Sequence, residues 1–260
     1  MVICIHTFVS VNTMKALSIV LPCYNECENI PLILERFAHV LSRDDVEVIL
    51  VDNGSTDDTP RVLAELLPRY PFARSLRVDV NQGYGFGLFC GLQAGTGRFL
   101  GWTHADMQTD PQDVMRGLTL LEVSTNPART FVKGRRQGRP LADQMFSVGM
   151  ALFESFVLWA PLWEINAQPN LFPRELFAHW QDPPTDFSFD LYYYYLAVKS
   201  GFKIQRFNVE FGNRLHGHSR WNINWQSKVK FVQRTIGFTY KLKRKMLYGK
   251  YVKRGLFSMS

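Results

Sequence analysis

The four cysteines of this chain, Cys4, Cys23, Cys27 and Cys90, form no Cys-x-x-Cys pair. No second Cys/His pair joins Cys23 and Cys27 at zinc-site spacing, so neither a structural zinc site nor a disulfide framework is expected, and the thiols read as reduced and mostly buried. Acidic residues are missing from Phe211 to Ser260, where twelve Lys or Arg stand. With those set aside, eighteen basic residues face twenty-three acidic ones, so the net charge of +7 belongs to the tail and not to the body. A tail of this kind seeks phosphates, of anionic lipid or of nucleic acid. No nucleic-acid-binding motif accompanies the charge, which ranks nucleic acid low. Long apolar runs are also lacking. The strongest, Phe146 to Trp163, contains Glu154 and Pro161 and falls at or below bilayer-crossing length, so no transmembrane helix is expected. Met1 to Thr13 is apolar but has neither a positive n-region nor a clear cleavage site. It is expected to be an N-terminal extension, with Met14-Lys15 opening the folded part.

What is present alternates. Leu17–Leu21 is a short apolar run ending at Pro22, as expected of a buried parallel strand. Helical spacing follows over 28–41, then a strand at Val46–Val51, a helix over 57–67 and a strand at Leu76–Val80. A glycine-rich helix over 85–94 and a strand at Phe99–Thr103 complete the first half. Asp110-Pro111 then reads as N-cap and first position of another helix. The order implies an α/β fold with a doubly wound, mostly parallel sheet, whose ligands bind at the carboxyl ends of the strands. Polar clusters fall at those ends: Asn25-Glu26, Asp52-Asn53-Gly54-Ser55, Asn81-Gln82-Gly83 and His104-Ala105-Asp106. The second half reads as a strand over 131–134, an apolar helix over 143–158, a helix over 187–199 and a strand over 202–211. A basic amphipathic helix from Trp221 to about Tyr251 follows, with breaks foreseen near Gly237 or Gly249.

The runs SIVLPCYNECENI, ILVDNGSTDDT, NQGYGFG and HADMQTDP resemble, in order, the motifs of the family 2 glycosyltransferases of GT-A fold. That resemblance covers about residues 17 to 125. In the second half Arg214-Leu215-His216-Gly217-His218-Ser219-Arg220 is similar to the R-x-x-G-x-S-K segment of the branch that makes polyprenyl-phosphate sugars, such as dolichol-phosphate mannose synthase. The resemblance implies that Pro22, Tyr24, Asn25 and Glu26 lie against base and ribose, and that Asp52 is a nucleotide contact. Asn81, Gly83, Ala105 and Asp106 complete the nucleotide-sugar set. It implies a divalent cation, Mn²⁺ or Mg²⁺, at Asp106 and Gln108, which neutralises the leaving diphosphate. Arg136 matches a G-S-R-like segment, and Arg214, Ser219 and Arg220 match the diphosphate and acceptor-phosphate positions.

The chain departs from the family pattern twice. Asn53 stands where a second Asp is usual, and His104 where the first Asp of D-A-D is usual. Three roles are open to His104: metal ligand, phosphate partner or space filler. Several other residues also have plainer readings. Pro22 and Asn25 suit a turn, Ser55 or Asp57 suits a helix cap, Asp110 an N-cap, and isolated arginines a solvated surface. His216 and His218 read equally as metal ligands or as solvent-facing. Asp186 suits an N-cap, and Asp190 is the candidate base should the acceptor be a hydroxyl. Met150, Phe153, Phe156, Val157 and Trp159 read as an apolar face, for lipid or for core.

The expected organisation is an extension over 1–13, a GT-A domain over 14–220 and a membrane-associating basic tail over 221–260. Within the domain, 14–125 would bind the nucleotide sugar and 126–220 the acceptor. The expected reaction is inverting transfer from a UDP- or GDP-linked sugar to polyprenyl phosphate, by a cytoplasmic protein peripheral to the membrane face. Two alternatives stand beside it: a sugar hydroxyl as acceptor in cell-surface glycan synthesis, and a GT-A-like scaffold without catalysis.

Overall fold

The computed structural model describes residues 14–179, 182–212, 216 and 225–247. One seven-stranded sheet has the order β3-β2-β1-β4-β6-β5-β7. Its parallel half comprises β1 (Leu17–Cys23), β2 (Val46–Asn53), β3 (Ala73–Val78) and β4 (Phe99–Trp102). These strands are connected by α1 (Asn29–Val40), α2 (Thr59–Leu66) and α3 (Tyr84–Ala94). Then come α4 (Pro111–Glu122), β5 (Thr130–Gln137) and α5 (Leu141–Leu158). The chain continues through β6 (Asn170–Pro173), α6 (Arg174–Ala178), α7 (Ser188–Lys199), β7 (Lys203–Glu210) and α8 (Trp225–Leu247).

The expected elements are present, with three differences. The third strand runs over 73–78 instead of 76–80. Strand β6 and helix α6 were not anticipated. β6 is only NLFP and lies antiparallel to both β4 and β5, so four residues join the two halves of the sheet. Finally, α8 is continuous through Gly237, because that glycine sits on an open face and nothing crowds it. The foreseen break at Gly249 lies outside the described residues.

Strand alternation sorts the core into two layers. Leu17, Ile19 and Leu21 of β1 and Val46, Val48 and Leu50 of β2 face α1, α2 and α4, and pack on Ile33, Phe37, Leu63 and Leu118. Val20, Ile49 and Val51 face the other way, where the layer includes α3 and α7. Helix α7 is apolar nearly all round, and Tyr192 to Tyr195 are all buried, so it is a core helix walled by sheet and α8.

The strand ends are locked by backbone approach. Gly54 has φ +70°, and a Cβ there would lie 2.3 Å from the backbone nitrogen of Asn81. Only glycine accepts both the conformation and the contact. Gly54→Ala is expected to cost about 2–3 kcal/mol and to lower Tm by about 6 °C. A thermal melt within a degree of wild type would contradict this.

Helix α8 is fastened to α5 by a buried acid. Thr239 Oγ1 donates to Glu154 Oε2 at 2.5 Å, and burial pushes the Glu154 carboxyl up to about 7 from its ordinary 4.5. The folded chain therefore holds this proton over a pH range in which the unfolded chain has lost it. The stabilisation is complete below pH 4.5 and is lost as pH rises through about 7. Glu154→Gln should melt close to wild type near pH 5 and roughly 5 °C higher at pH 8. The same offset at both values would refute the assignment.

Candidate functional site

The carboxyl ends of β1, β2 and β4 meet along one edge, and side chains stitch their loops together. Asn25, in the left-handed region at φ 58°, donates its backbone N–H to Ser55 Oγ at 3.0 Å and accepts from Thr56 N at 2.8 Å. The Glu26 N–H donates to Thr59 Oγ1 at 2.9 Å, and the Glu26 carboxylate accepts from Asn29 Nδ2 at 2.6 Å. Ser55 therefore joins two strand ends and caps no helix. Asp57 accepts from Thr59 N at 3.0 Å in the first turn of α2, as foreseen. Pro22 pairs with Val51 at the end of β1, and Tyr24 is half-buried beside it.

Asp52 is buried. It accepts from Ser55 N at 3.0 Å and is paired with the guanidinium of Arg77, at the end of the neighbouring strand. Asn53, the first departure from the family pattern, has a structural task. Its Nδ2 donates to the Gly83 carbonyl at 2.8 Å, a bond that a carboxylate cannot make. Asn81 Oδ1 accepts from Gly83 N at 2.9 Å. Gly83 has φ +103°, and a Cβ on it would lie 2.4 Å from the Thr185 carbonyl, so the loop before α7 closes directly on the start of α3. Tyr84 stacks on Phe187 from that loop, with ring centroids 4.8 Å apart.

The loop after β4 turns sharply. Asp106 is buried, and its Oδ1 accepts from Gln108 N at 3.1 Å around Met107, which has φ 60°. Thr103 and Thr109 share a hydroxyl hydrogen bond of 3.1 Å beneath the turn. Ala105 is buried, and the half-buried His104 ring meets Phe211 edge-on with centroids 6.0 Å apart. Gln108 turns its amide NH₂ to the Gly212 carbonyl at 3.3 Å, and Gly212 N donates to the Gln108 carbonyl at 2.9 Å. On the far side Asn29 Nδ2 donates to the His216 carbonyl at 3.3 Å, and the exposed His216 ring lies 3.8 Å from Glu28. Gly212 is thus tied to the Asp106 loop, and His216 to the start of α1. Arg214, His218, Ser219 and Arg220 lie outside the described residues. Asp110 caps α4, accepting from Gln112 N at 2.7 Å, and pairs with Arg36 at 2.8 Å.

Beneath the edge lies a set of buried polar groups, most of which the sequence reading missed. Asp190 accepts from Trp102 Nε1 at 3.0 Å, and burial raises its carboxyl, opposed by Lys133. Tyr84 also borders Asp190, and its hydroxyl accepts from Gln168 Nε2 at 2.7 Å. Lys133, fully buried in β5, donates to the carbonyls of Ile165 and Ala167, each at 2.7 Å, and to Asn170 Oδ1 at 2.8 Å. Burial pushes its ammonium down, opposed by Asp190. Lys133 thereby fixes the loop that carries Glu164, which pairs with Arg136 at 2.8 Å and faces Arg139 at 4.0 Å. Arg136 also lies over the Phe211 ring, 5.6 Å from its centroid. Asp186, as foreseen, accepts from Ser188 N at 2.9 Å at the start of α7. No sequence pattern marks Lys133 or Glu164, since a lysine in a strand and a glutamate in a loop read as solvated.

Among the described residues no three His, Cys, Asp or Glu side chains cluster to cage a cation. With one buried carboxylate, Asp106, the β4 loop suits an ion whose other ligands are substrate phosphate oxygens.

Residues 18–179 match the family described as Glycosyl transferase family 2. Among curated proteins, the undecaprenyl-phosphate 4-deoxy-4-formamido-L-arabinose transferase of Yersinia enterocolitica is 30% identical over 142 residues, 52% of this chain and 43% of that protein. The protein of the same name from Sodalis glossinidius is 33% identical over 111 residues, 41% of this chain and 33% of that protein. The chain thus matches less than half the length of these relatives. Among solved structures, a mannosyltransferase from Pyrobaculum calidifontis in complex with GDP-mannose and Mn²⁺ has a TM-score of 0.65 at 19% identity, covering 88% of this chain and 65% of that one. The glucosyl-3-phosphoglycerate synthase of Mycobacterium tuberculosis, in complex with Mn²⁺, UDP and glucosyl-3-phosphoglycerate, has a TM-score of 0.63 at 18% identity, covering 88% and 80%. The sheet and its flanking helices are those of the GT-A fold, and the chain belongs to glycosyl transferase family 2.

Proposed function

We propose that this chain is an inverting, metal-dependent glycosyltransferase that moves a sugar from a UDP- or GDP-linked donor to polyprenyl phosphate at the cytoplasmic face of a membrane. The observation that carries the reading is the buried Asp106 carboxylate at the end of β4, beside two other strand ends held in one edge. The polyprenyl-phosphate branch is supported by the likeness to undecaprenyl-phosphate sugar transferases and by the Arg214–Arg220 segment.

In this reading Pro22, Tyr24, Asn25, Glu26 and Asp52 border the base and ribose, and Asn81, Gly83 and Ala105 complete the nucleotide pocket. Asp106, with Gln108 and His104, would hold the divalent cation, which when bound neutralises charge growing on the leaving diphosphate. Arg214 and Arg220 would add to that neutralisation, and Ser219 and Arg136 would border the acceptor phosphate. A lipid phosphate is already ionised and needs no base. Asp190 supports that choice, because it is buried beneath Trp102 and Tyr84 and so is poorly placed to meet a hydroxyl acceptor. Its place suits a positioning role under the pocket.

The test offers the full chain labelled UDP- and GDP-sugars with Mn²⁺ and undecaprenyl phosphate. A labelled lipid-phosphate sugar is expected, and Asp106→Ala should lower its formation about a hundred- to a thousandfold with the fold intact. Transfer only to saccharide acceptors would overturn the lipid reading. Absence of nucleotide-sugar binding with Mn²⁺ present would favour the non-catalytic scaffold.

A further inference from the structure

Helix α5 is built the wrong way round for a core helix. Leu141, Met145, Gly149, Leu152, Phe156 and Trp159 recur at intervals of three and four residues, which places them on one face. All six are exposed: Leu152, Phe156 and Trp159 keep 61%, 81% and 79% of their surface in water. No charged residue interrupts that stripe. The charged residues of the helix, Asp143 and Glu154, are half-buried and buried respectively. The helix ends at Leu158, as its expected range over 143–158 has it, and starts two residues earlier, at Leu141. Although no bilayer-crossing helix is expected from the sequence, this one is by length and composition apolar enough to cross a membrane. Its other contacts keep it on the protein. Arg139 holds Ser147 Oγ at 3.0 Å, Glu154 holds Thr239, and Ala151, Val157 and Leu158 are buried.

Two further observations say what covers the stripe. First, α8 packs against α5 through Glu154–Thr239 and through Phe153 and Tyr240, whose ring centroids lie 6.5 Å apart. Seven Lys or Arg and no Asp or Glu lie in α8, and Lys230, Arg234, Lys241 and Arg244 are exposed. An apolar stripe joined to a basic helix complements an anionic lipid surface better than a protein groove. Second, Trp159 closes α5 in the left-handed region at φ 51°, where glycine or asparagine costs less. An indole kept on the surface at that backbone cost, with the 40%-exposed Trp163 close by, suits the headgroup layer of a bilayer.

We infer that the exposed face of α5, with the basic face of α8, is a docking surface for an anionic lipid bilayer, on which α5 lies flat. Helix α5 begins five residues after Arg136, so the surface adjoins the residues proposed to border the acceptor phosphate. The inference deepens that reading but is tested without turnover.

The experiment sediments the full chain with vesicles of phosphatidylcholine containing 30% phosphatidylglycerol. Leu152→Glu/Phe156→Glu changes two exposed side chains and should leave Tm unchanged, while lowering the vesicle partition coefficient at least tenfold. Lys241→Glu/Arg244→Glu should lower it severalfold, and wild-type binding should weaken in 0.5 M salt. A wild-type chain that stays in the supernatant, or a double-glutamate variant that binds as wild type, overturns the inference. So does a wild-type dimer that the double-glutamate variant converts to a monomer without altering vesicle binding, since the face would then be an interface between copies. Vesicle binding without sugar transfer to undecaprenyl phosphate would leave this surface standing and remove only the proposed acceptor.

Discussion

Parallel strands that end together expose a row of unpaired backbone groups, and the whole site depends on how those groups are satisfied. Here they are satisfied by one another's loops. Asn25 bonds Ser55 and Thr56, Glu26 meets Thr59, Gly54 presses on Asn81, and Asn53 holds Gly83. The ends of β1, β2 and β3 are each held by a loop other than their own. That mutual fixing makes a rigid rim, and Asp106 sits in it with its carboxylate oriented by the Gln108 amide. A carboxylate fixed before substrate arrives gives electrostatic stabilisation without reorganisation, the property a leaving diphosphate requires.

The second half supports the rim from below. Lys133 bonds two carbonyls and Asn170 at once, and so orders the loop that leads to β6 and carries Glu164. Asp190 draws Trp102 of the central strand and Tyr84 of α3 toward one point. These groups tie the strand edge to the second half of the chain. They also account for the aromatic helix α7, whose buried tyrosines wall the network off from water.

Legibility in the sequence followed the range of the interactions. The parallel half was readable where a strand is a local apolar run closed by a polar cluster, as β1, β2 and β4 are, and Asp110-Pro111 announces its helix by local cap chemistry. Edge strand β3, with Arg74 and Arg77 among its six residues, has no such run, and its range shifted by up to three residues. Strand β6 was hidden because NLFP is four residues long and ends in proline, and its pairing with β4 and β5 is wholly non-local. The strand-end residues were found, but their partners were not. Arg77 is twenty-five positions from Asp52, and Gly83 thirty from Asn53, so no window of sequence joins them. Asn53 shows the cost of that limit, because what the sequence shows only as a departure from the family pattern is a hydrogen bond holding the next strand end. Helix α5 carries the same lesson for surfaces. The expected apolar face of Met150, Phe153, Phe156, Val157 and Trp159 is split by the packing: Val157 is buried, Met150 and Phe153 are half-buried, and the exposed side runs instead through Leu141, Met145, Leu152, Phe156 and Trp159.

The central claim is that a buried carboxylate on this rim binds a nucleoside diphosphate through a divalent cation. Titration calorimetry of UDP and GDP, with and without Mn²⁺, on wild type and Asp106→Asn addresses it most directly. The account predicts that Mn²⁺ tightens wild-type binding of one of the two nucleotides at least tenfold and that Asp106→Asn abolishes the gain. Equal affinity with and without Mn²⁺, or a gain that survives in Asp106→Asn, would contradict it.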